Sequence, residues 1–149
     1  MKATELQIGD WVIFHDSGYA SDGTTWEEDR ICQIDSIDED VRVKWYDESG
    51  CEEDWPHVST ELLSPIPLTS EILEKNGFEK QWQDNYEYFD DDENLNVTFH
   101  PKTSNYTNGA YDYIDIEKGC LTINEMPIMF VHELQHALRL CGITREIIL

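Results

Sequence analysis

Two prolines set one residue apart, in Ser64-Pro65-Ile66-Pro67-Leu68, constrain the fold of this chain more than any other feature. Each ring holds φ at about −65° and removes a backbone donor, and each disfavours a helical conformation in the residue before it. The segment must run extended, and no helix can pass through it. It divides the 149 residues into an N-terminal stretch, 1–64, and a C-terminal stretch, 65–149. Each is long enough for a small domain of its own.

On the N-terminal side the hydrophobic pattern has a period of two. After the turn pair Gly9-Asp10 comes the apolar run Trp11-Val12-Ile13-Phe14. Ile31, Gln33 and Asp35 alternate with Cys32, Ile34 and Ser36, and Val41-Arg42-Val43-Lys44-Trp45 alternates again. The polar stretch from Asp16 to Thr25 is expected to be a connection, Asp38-Glu39-Asp40 and Asp47-Glu48-Ser49-Gly50 to be turns, and Glu52 to Trp55 to be a further strand. Several short strands at this spacing predict an SH3-like small β-barrel.

On the C-terminal side Thr69 or Ser70 caps a short helix that reaches Lys75 and stops at Asn76-Gly77. Leu95, Val97 and Phe99 alternate with polar residues, as do Tyr111 and Tyr113 and, one step out of phase, Ile114 and Ile116. With turns at Asn108-Gly109 and Lys118-Gly119 and a strand at Leu121-Thr122-Ile123, this predicts three or four antiparallel strands. The clearest helix is expected over roughly residues 127–141, with Pro127 in its first turn and Gly142 as its stop. Phe130, Leu134, Ala137, Leu138 and Cys141 fall on one stripe, with His132 and His136 away from its centre. The expected class is α+β: an SH3-like unit over 1–64, then an antiparallel sheet packed by two helices over 65–149.

Charge bounds the function. Thirty-two acids against ten bases give a net −22, with 17 acids and 4 bases in residues 1–68 and 15 and 6 in residues 69–149. Such a surface repels phosphate, which argues against direct nucleic-acid binding and against docking on anionic lipid. It attracts basic surfaces, including the grooves of nucleic-acid-binding proteins. At 40% hydrophobic and 11% aromatic residues the chain can fill a core, which excludes the disordered class. The start Met1-Lys2-Ala3-Thr4-Glu5 has no apolar leader region, and no run approaches the roughly 18 apolar residues of a membrane span. The expectation is a cytoplasmic protein. Cys32, Cys51, Cys120 and Cys141 form no C-x-x-C pair and are expected to be reduced thiols, with no cofactor.

One motif points to metal chemistry. His132-Glu133-Leu134-Gln135-His136 spells H-E-x-x-H, in which two histidines four apart on a helix can share one zinc ion while the glutamate activates its water. The longer pattern H-E-x-x-H-x-x-G-x-x-H needs Gly at 139 and His at 142, where this chain has Arg139 and Gly142. The only acid after the motif is Glu146; His57, His100 or Asp115 would have to serve as an upstream third ligand. The favoured reading is an amphipathic helix, with no metal and no catalytic residue. The run Asp90-Asp91-Asp92-Glu93 lacks the spacing of a calcium loop and reads, like Asp38-Glu39-Asp40, as solvated charge available to a partner. Trp45 and Trp55, with Tyr46 and Trp11, are candidates for an aromatic groove.

Three blocks carry a resemblance: Lys2 to Asp10 (KATELQIGD), Pro65-Ile66-Pro67-Leu68-Thr69 with Glu71-Ile72-Leu73 and Gly77-Phe78, and Val131 to Leu138 (VHELQHAL) through Gly142. Together they resemble a family of small uncharacterised bacterial proteins often found near prophages and other mobile elements. The resemblance covers nearly the full length and implies a cytosolic protein of no assigned activity. Relatives in that family often show Gln where Glu133 stands and sometimes Asn where His136 stands, which implies helix packing rather than zinc binding.

The resulting expectation is a non-catalytic acidic binding protein, an anti-defence inhibitor that occupies the basic groove of a nucleic-acid-binding protein. Its binding residues are Trp45, Trp55, Asp38, Glu39, Asp40, Asp90, Asp91, Asp92 and Glu93. The alternatives are a zinc-dependent hydrolase using His132, His136 and Glu133, and a peptide-binding adaptor.

Overall fold

The structure is a computed structural model that describes residues 1–46, 49–102, 111–143 and 145–149. The chain divides into two compact units, residues 1–66 and 67–149, and the division falls inside the proline segment. Each unit is built on one five-stranded antiparallel sheet, and few helices accompany them, so the class is α+β. No helix of the described residues is long and apolar enough to cross a membrane.

In the first unit, β1 (Trp11–Tyr19), β2 (Thr25–Ile37), β3 (Val41–Tyr46), β4 (Glu52–Val58) and β5 (Leu63–Pro65) lie in the order β4-β3-β2-β1-β5. The period of two decides which side chains turn inward: Val12 and Phe14, Cys32 and Ile34, and Val41, Val43 and Trp45 are buried together with Val58 and Leu63. The sheet does not close on itself, since β4 and β5 remain its edges. It is nonetheless strongly curved, because the Phe14 ring on β1 comes within 6.2 Å of the Trp55 ring on β4 across two intervening strands. Pro65 ends β5 on an outer strand, where a missing N–H removes no inner ladder bond.

The expected connection from Asp16 to Thr25 is instead mostly strand. β1 and β2 continue as a two-stranded ribbon to Tyr19 and Thr25, leaving only 20–24 as the loop. The polar side chains there mark a ribbon solvated on both faces, not the end of backbone pairing. Gly18 makes room for its cross-strand partner Trp26, whose ring would stand 2.8 Å from a Cβ at that position. β4 carries a bulge between its pairings to Val41 and Val43, and His57 within it adopts φ +66°.

In the second unit, α1 (Ser70–Lys75) is capped by Thr69, whose hydroxyl accepts from the Ile72 N–H, and Gly77 takes the left-handed φ of +83° after it. Then come β6 (Glu79–Lys80), β7 (Tyr86–Asp90), β8 (Leu95–His100), β9 (Tyr113–Lys118) and β10 (Leu121–Pro127), ordered β10-β9-β8-β7-β6. The sheet has five strands where three or four are expected; β7 and β6 are the two not located in the sequence, and the two residues of β6 are too few to show a period. Leu95, Val97, Phe99, Ile114 and Ile116 bury one face of this sheet. α2 (Val131–Leu140) buries Val131, Leu134, Ala137 and Leu138, and Leu138 lines one small cavity with Leu95 of β8.

α2 begins four residues later than expected, because Pro127 is the last residue of β10 and pairs with Tyr113. The Glu133 carboxylate explains the delay: one oxygen accepts from the N–H of Met129 (2.7 Å) and of Phe130 (3.1 Å), holding the chain extended up to Phe130. The phenyl ring of Phe130 has no acceptor to return such a bond, so this is half of a capping box. A second bulge interrupts β10 between Ile123 and Met126, where Glu125 adopts φ +53° and its N–H donates to Asp115. The turn expected at Asp47-Glu48 and the one at Asn108-Gly109 lie outside the described residues.

Candidate functional site

All four bases of the first unit are already matched to carboxylates. Lys2 lies 3.8 Å from Glu5, and Arg42 lies 3.6 Å from Asp54. Arg30 meets Glu28 at 2.6 Å and Asp16 at 3.7 Å, and Lys44 meets Asp35 at 3.7 Å and Glu52 at 4.0 Å. The Glu28 hydrogen bond, more than any other influence, raises the affinity of Arg30 for its proton. Glu27, Asp38, Glu39 and Glu53 remain exposed and outside any ion pair of the described residues. Pairing has used up the cations and left a negative field.

The edge strand β4 carries one run of these acids. Glu52, Glu53 and Asp54 are exposed, as are Trp55 beside them and Tyr46, which lies opposite Glu52 and donates its hydroxyl to it. At the other end of β4, His57 Nδ1 lies 2.9 Å from Asp40, and Asp38, Glu39, Asp40 and His57 line an open hollow of about 340 Å³. The candidates for an aromatic groove, Trp45, Trp55, Tyr46 and Trp11, are not gathered on one face: Tyr46 is exposed on the outer face, the partly exposed Trp55 pairs with the inward Val43, and Trp11 is half-buried. Trp45 is buried in the core with the Arg30 guanidinium 4.9 Å over its ring, because alternation on β3 sends 45 inward and 46 outward.

The second acidic run does local work. Asp90 accepts from the N–H groups of Asp92 and Glu93 and shapes the turn between β7 and β8, while Glu93 pairs with Lys118 at 2.9 Å. Asp91 and Asp92 are exposed.

The zinc arrangement does not assemble. Glu133, the required base, is spent on the start of α2. His132 was expected away from the apolar stripe but is buried at 5% exposure, with its ring stacked on Phe130 at 5.9 Å. Val131, His132, Leu134 and Gln135 are all buried, so the covered face of α2 is wider than its apolar stripe. The His136 ring stands edge-on to His132 at 5.6 Å. Among the described residues no group of three or more His, Cys, Asp or Glu is placed to hold a metal ion; His100 instead meets Asp115 at 3.1 Å. The described residues do not fit a zinc hydrolase.

Comparison with protein-family models, with curated proteins and with solved structures finds no match to this chain.

The four cysteines are free thiols. Burial pushes the Cys32 thiol up to about 12 and also raises Cys141, whereas Cys51 and Cys120 are exposed. One constellation escaped the sequence reading altogether: His15, Asp29 and Ser64, joined by hydrogen bonds on the first sheet. They are 14 and 49 residues apart, so only a strand register could have brought them together on paper.

Proposed function

We propose that this chain is an acidic binding protein that occupies the basic groove of a nucleic-acid-binding protein in the bacterial or phage-infected cytosol, as an anti-defence inhibitor would. The supporting observation is that every base of the first unit already has a carboxylate partner within the unit, so Glu53 of β4 and Asp38 and Glu39 of the turn before β3 are exposed outside any ion pair of the described residues. Tyr46 gives the outer face of that edge apolar contact area beside Glu52. The resemblance to proteins found near prophages supports the same setting. We also infer an SH3-like first unit. The return of β5 to the side of β1 and the curvature that brings Phe14 to Trp55 support that reading.

The test is retrieval of partners on the tagged chain, followed by a salt gradient. A recovered nucleic-acid-binding protein should leave at moderate salt, compete with DNA or RNA, and bind more weakly to Glu52→Lys and Glu53→Lys variants. Binding that ignores both salt and these reversals sinks the proposal and favours a peptide-binding adaptor.

A further inference from the structure

Three side chains on the outer face of the first sheet form a continuous hydrogen-bonded chain. Asp29 Oδ1 lies 2.6 Å from His15 Nδ1, and His15 Nε2 lies 2.7 Å from Ser64 Oγ. The register builds it: His15 stands opposite Asp29 in the β1–β2 pair, and Ser64 stands opposite Ile13, two residues along the same face of β1. An ionised carboxylate can only accept, so in the neutral imidazole the proton sits on Nδ1 and the Nε2 lone pair faces the serine hydroxyl. A nucleophile, a base and a group that orients the base are thus in contact in that order.

We propose that Ser64 is a base-activated nucleophile that takes acyl groups from small uncharged esters, a chemistry distinct from the binding role above. Ser64 Oγ attacks the ester carbonyl carbon while its proton passes to His15 Nε2. The bond to the leaving oxygen then breaks, that oxygen takes the proton from His15, and acyl-Ser64 and the free alcohol result. Water attacks the acyl carbonyl, gives one proton through the same nitrogen, and releases the carboxylic acid with Ser64 restored. Asp29 is a positioning residue that acts through His15.

The surroundings select the substrate. Ile13 faces Ser64 across the strand pair, and Ile31, 53% exposed, stands opposite Ile13, so an apolar row leads up to the hydroxyl. Asp29, the exposed Glu27 and the net charge of −22 disfavour an anionic ester. Ser64 lies on an edge strand and is half-buried, so its hydroxyl is partly accessible. With His15 44% and Asp29 68% exposed, the activation is that of a solvated group and falls short of what a buried triad gives.

The experiment exposes the full chain to a fluorophosphonate probe, whose P–F bond breaks as the serine O–P bond forms, and to 4-nitrophenyl butyrate. Modified residues are mapped by mass spectrometry. Ser64 should react about tenfold to a hundredfold faster than the exposed Ser17 and Ser21, in keeping with general-base assistance weakened by solvent. Ester hydrolysis should vanish in Ser64→Ala and fall about as far in His15→Gln. A low-field proton signal from His15 Nδ1–H should survive in Ser64→Ala and disappear in Asp29→Asn, a change that a purely structural role of Asp29 would not produce. Labelling of Ser64 at the rate of Ser17 overturns the proposal, and so does labelling unchanged in a folded His15→Gln. Should His15→Gln fail to fold, the ratio of Ser64 to Ser17 labelling in the unaltered chain decides alone.

Discussion

Glu133 shows how one side chain can carry two incompatible readings. As the base of a zinc site it would need a free carboxylate; in the structure that carboxylate accepts two backbone N–H groups and fixes the start of α2. Glu133→Ala should cost about 1 kcal/mol in urea unfolding, whereas Glu133→Gln keeps an acceptor and should cost only a few tenths, as expected for a cap. Cys32 gives a prediction with a pH sign. Its thiol is held up to about 12 in the folded chain against an ordinary 9.0, so between those values the unfolded chain releases a proton that the folded chain retains. Its contribution to stability is therefore whole below pH 9.0 and is lost as pH rises toward 12, by about 1.4 kcal/mol per unit. Cys32→Ala should be less stable at neutral pH but show a flatter decline between pH 9 and 11, measured by denaturant titration. Ellman's reagent should meet Cys51 and Cys120 at once and the buried Cys32 and Cys141 only after unfolding.

Among the elements, those with long periodic runs were legible and those shaped by packing were not. Alternation on β3 and β8 found the strands and their inner faces, because half-burial leaves a period of two in the residue types. The ribbon of β1 and β2 was hidden because a strand solvated on both faces has no apolar rhythm. The start of α2 was misplaced because proline is as acceptable at the end of an edge strand as in a first helical turn, and only the cap geometry separates the two. The acidic binding residues were readable as runs, and the burial of Trp45 follows from the alternation on β3, yet the chain His15–Asp29–Ser64 depends on pairing between distant strands, which composition does not encode. The ribbon also yields a test. Gly18→Ala should push the half-exposed Trp26 ring off its seat, shift its fluorescence to the red and cost up to about 1 kcal/mol, the usual scale of a cross-strand pair. Unchanged emission would mean that the ring does not lie over Gly18.

At the scale of the whole molecule, net charge and open sheets set competing demands. A chain at −22 repels itself, so its melting temperature should rise between 10 mM and 500 mM sodium chloride as the Debye length contracts from about 30 Å to a few ångströms. A melting temperature indifferent to salt would show that the carboxylates are already screened by their neighbours. Open sheets bring a different hazard, because unpaired strand edges can template further chains. Here β4 is bent by the bulge at His57, β10 by the bulge at Glu125 and the proline at 127, β5 is three residues long and ends in proline, and β6 is two residues long. These are guards that do not titrate. When the carboxylates are protonated near pH 4 and the mutual repulsion fades, the chain can clump, but its edges still offer no straight ladder on which to grow. The deposit formed in acid should be amorphous, silent to amyloid dyes, and should redissolve when neutral pH returns.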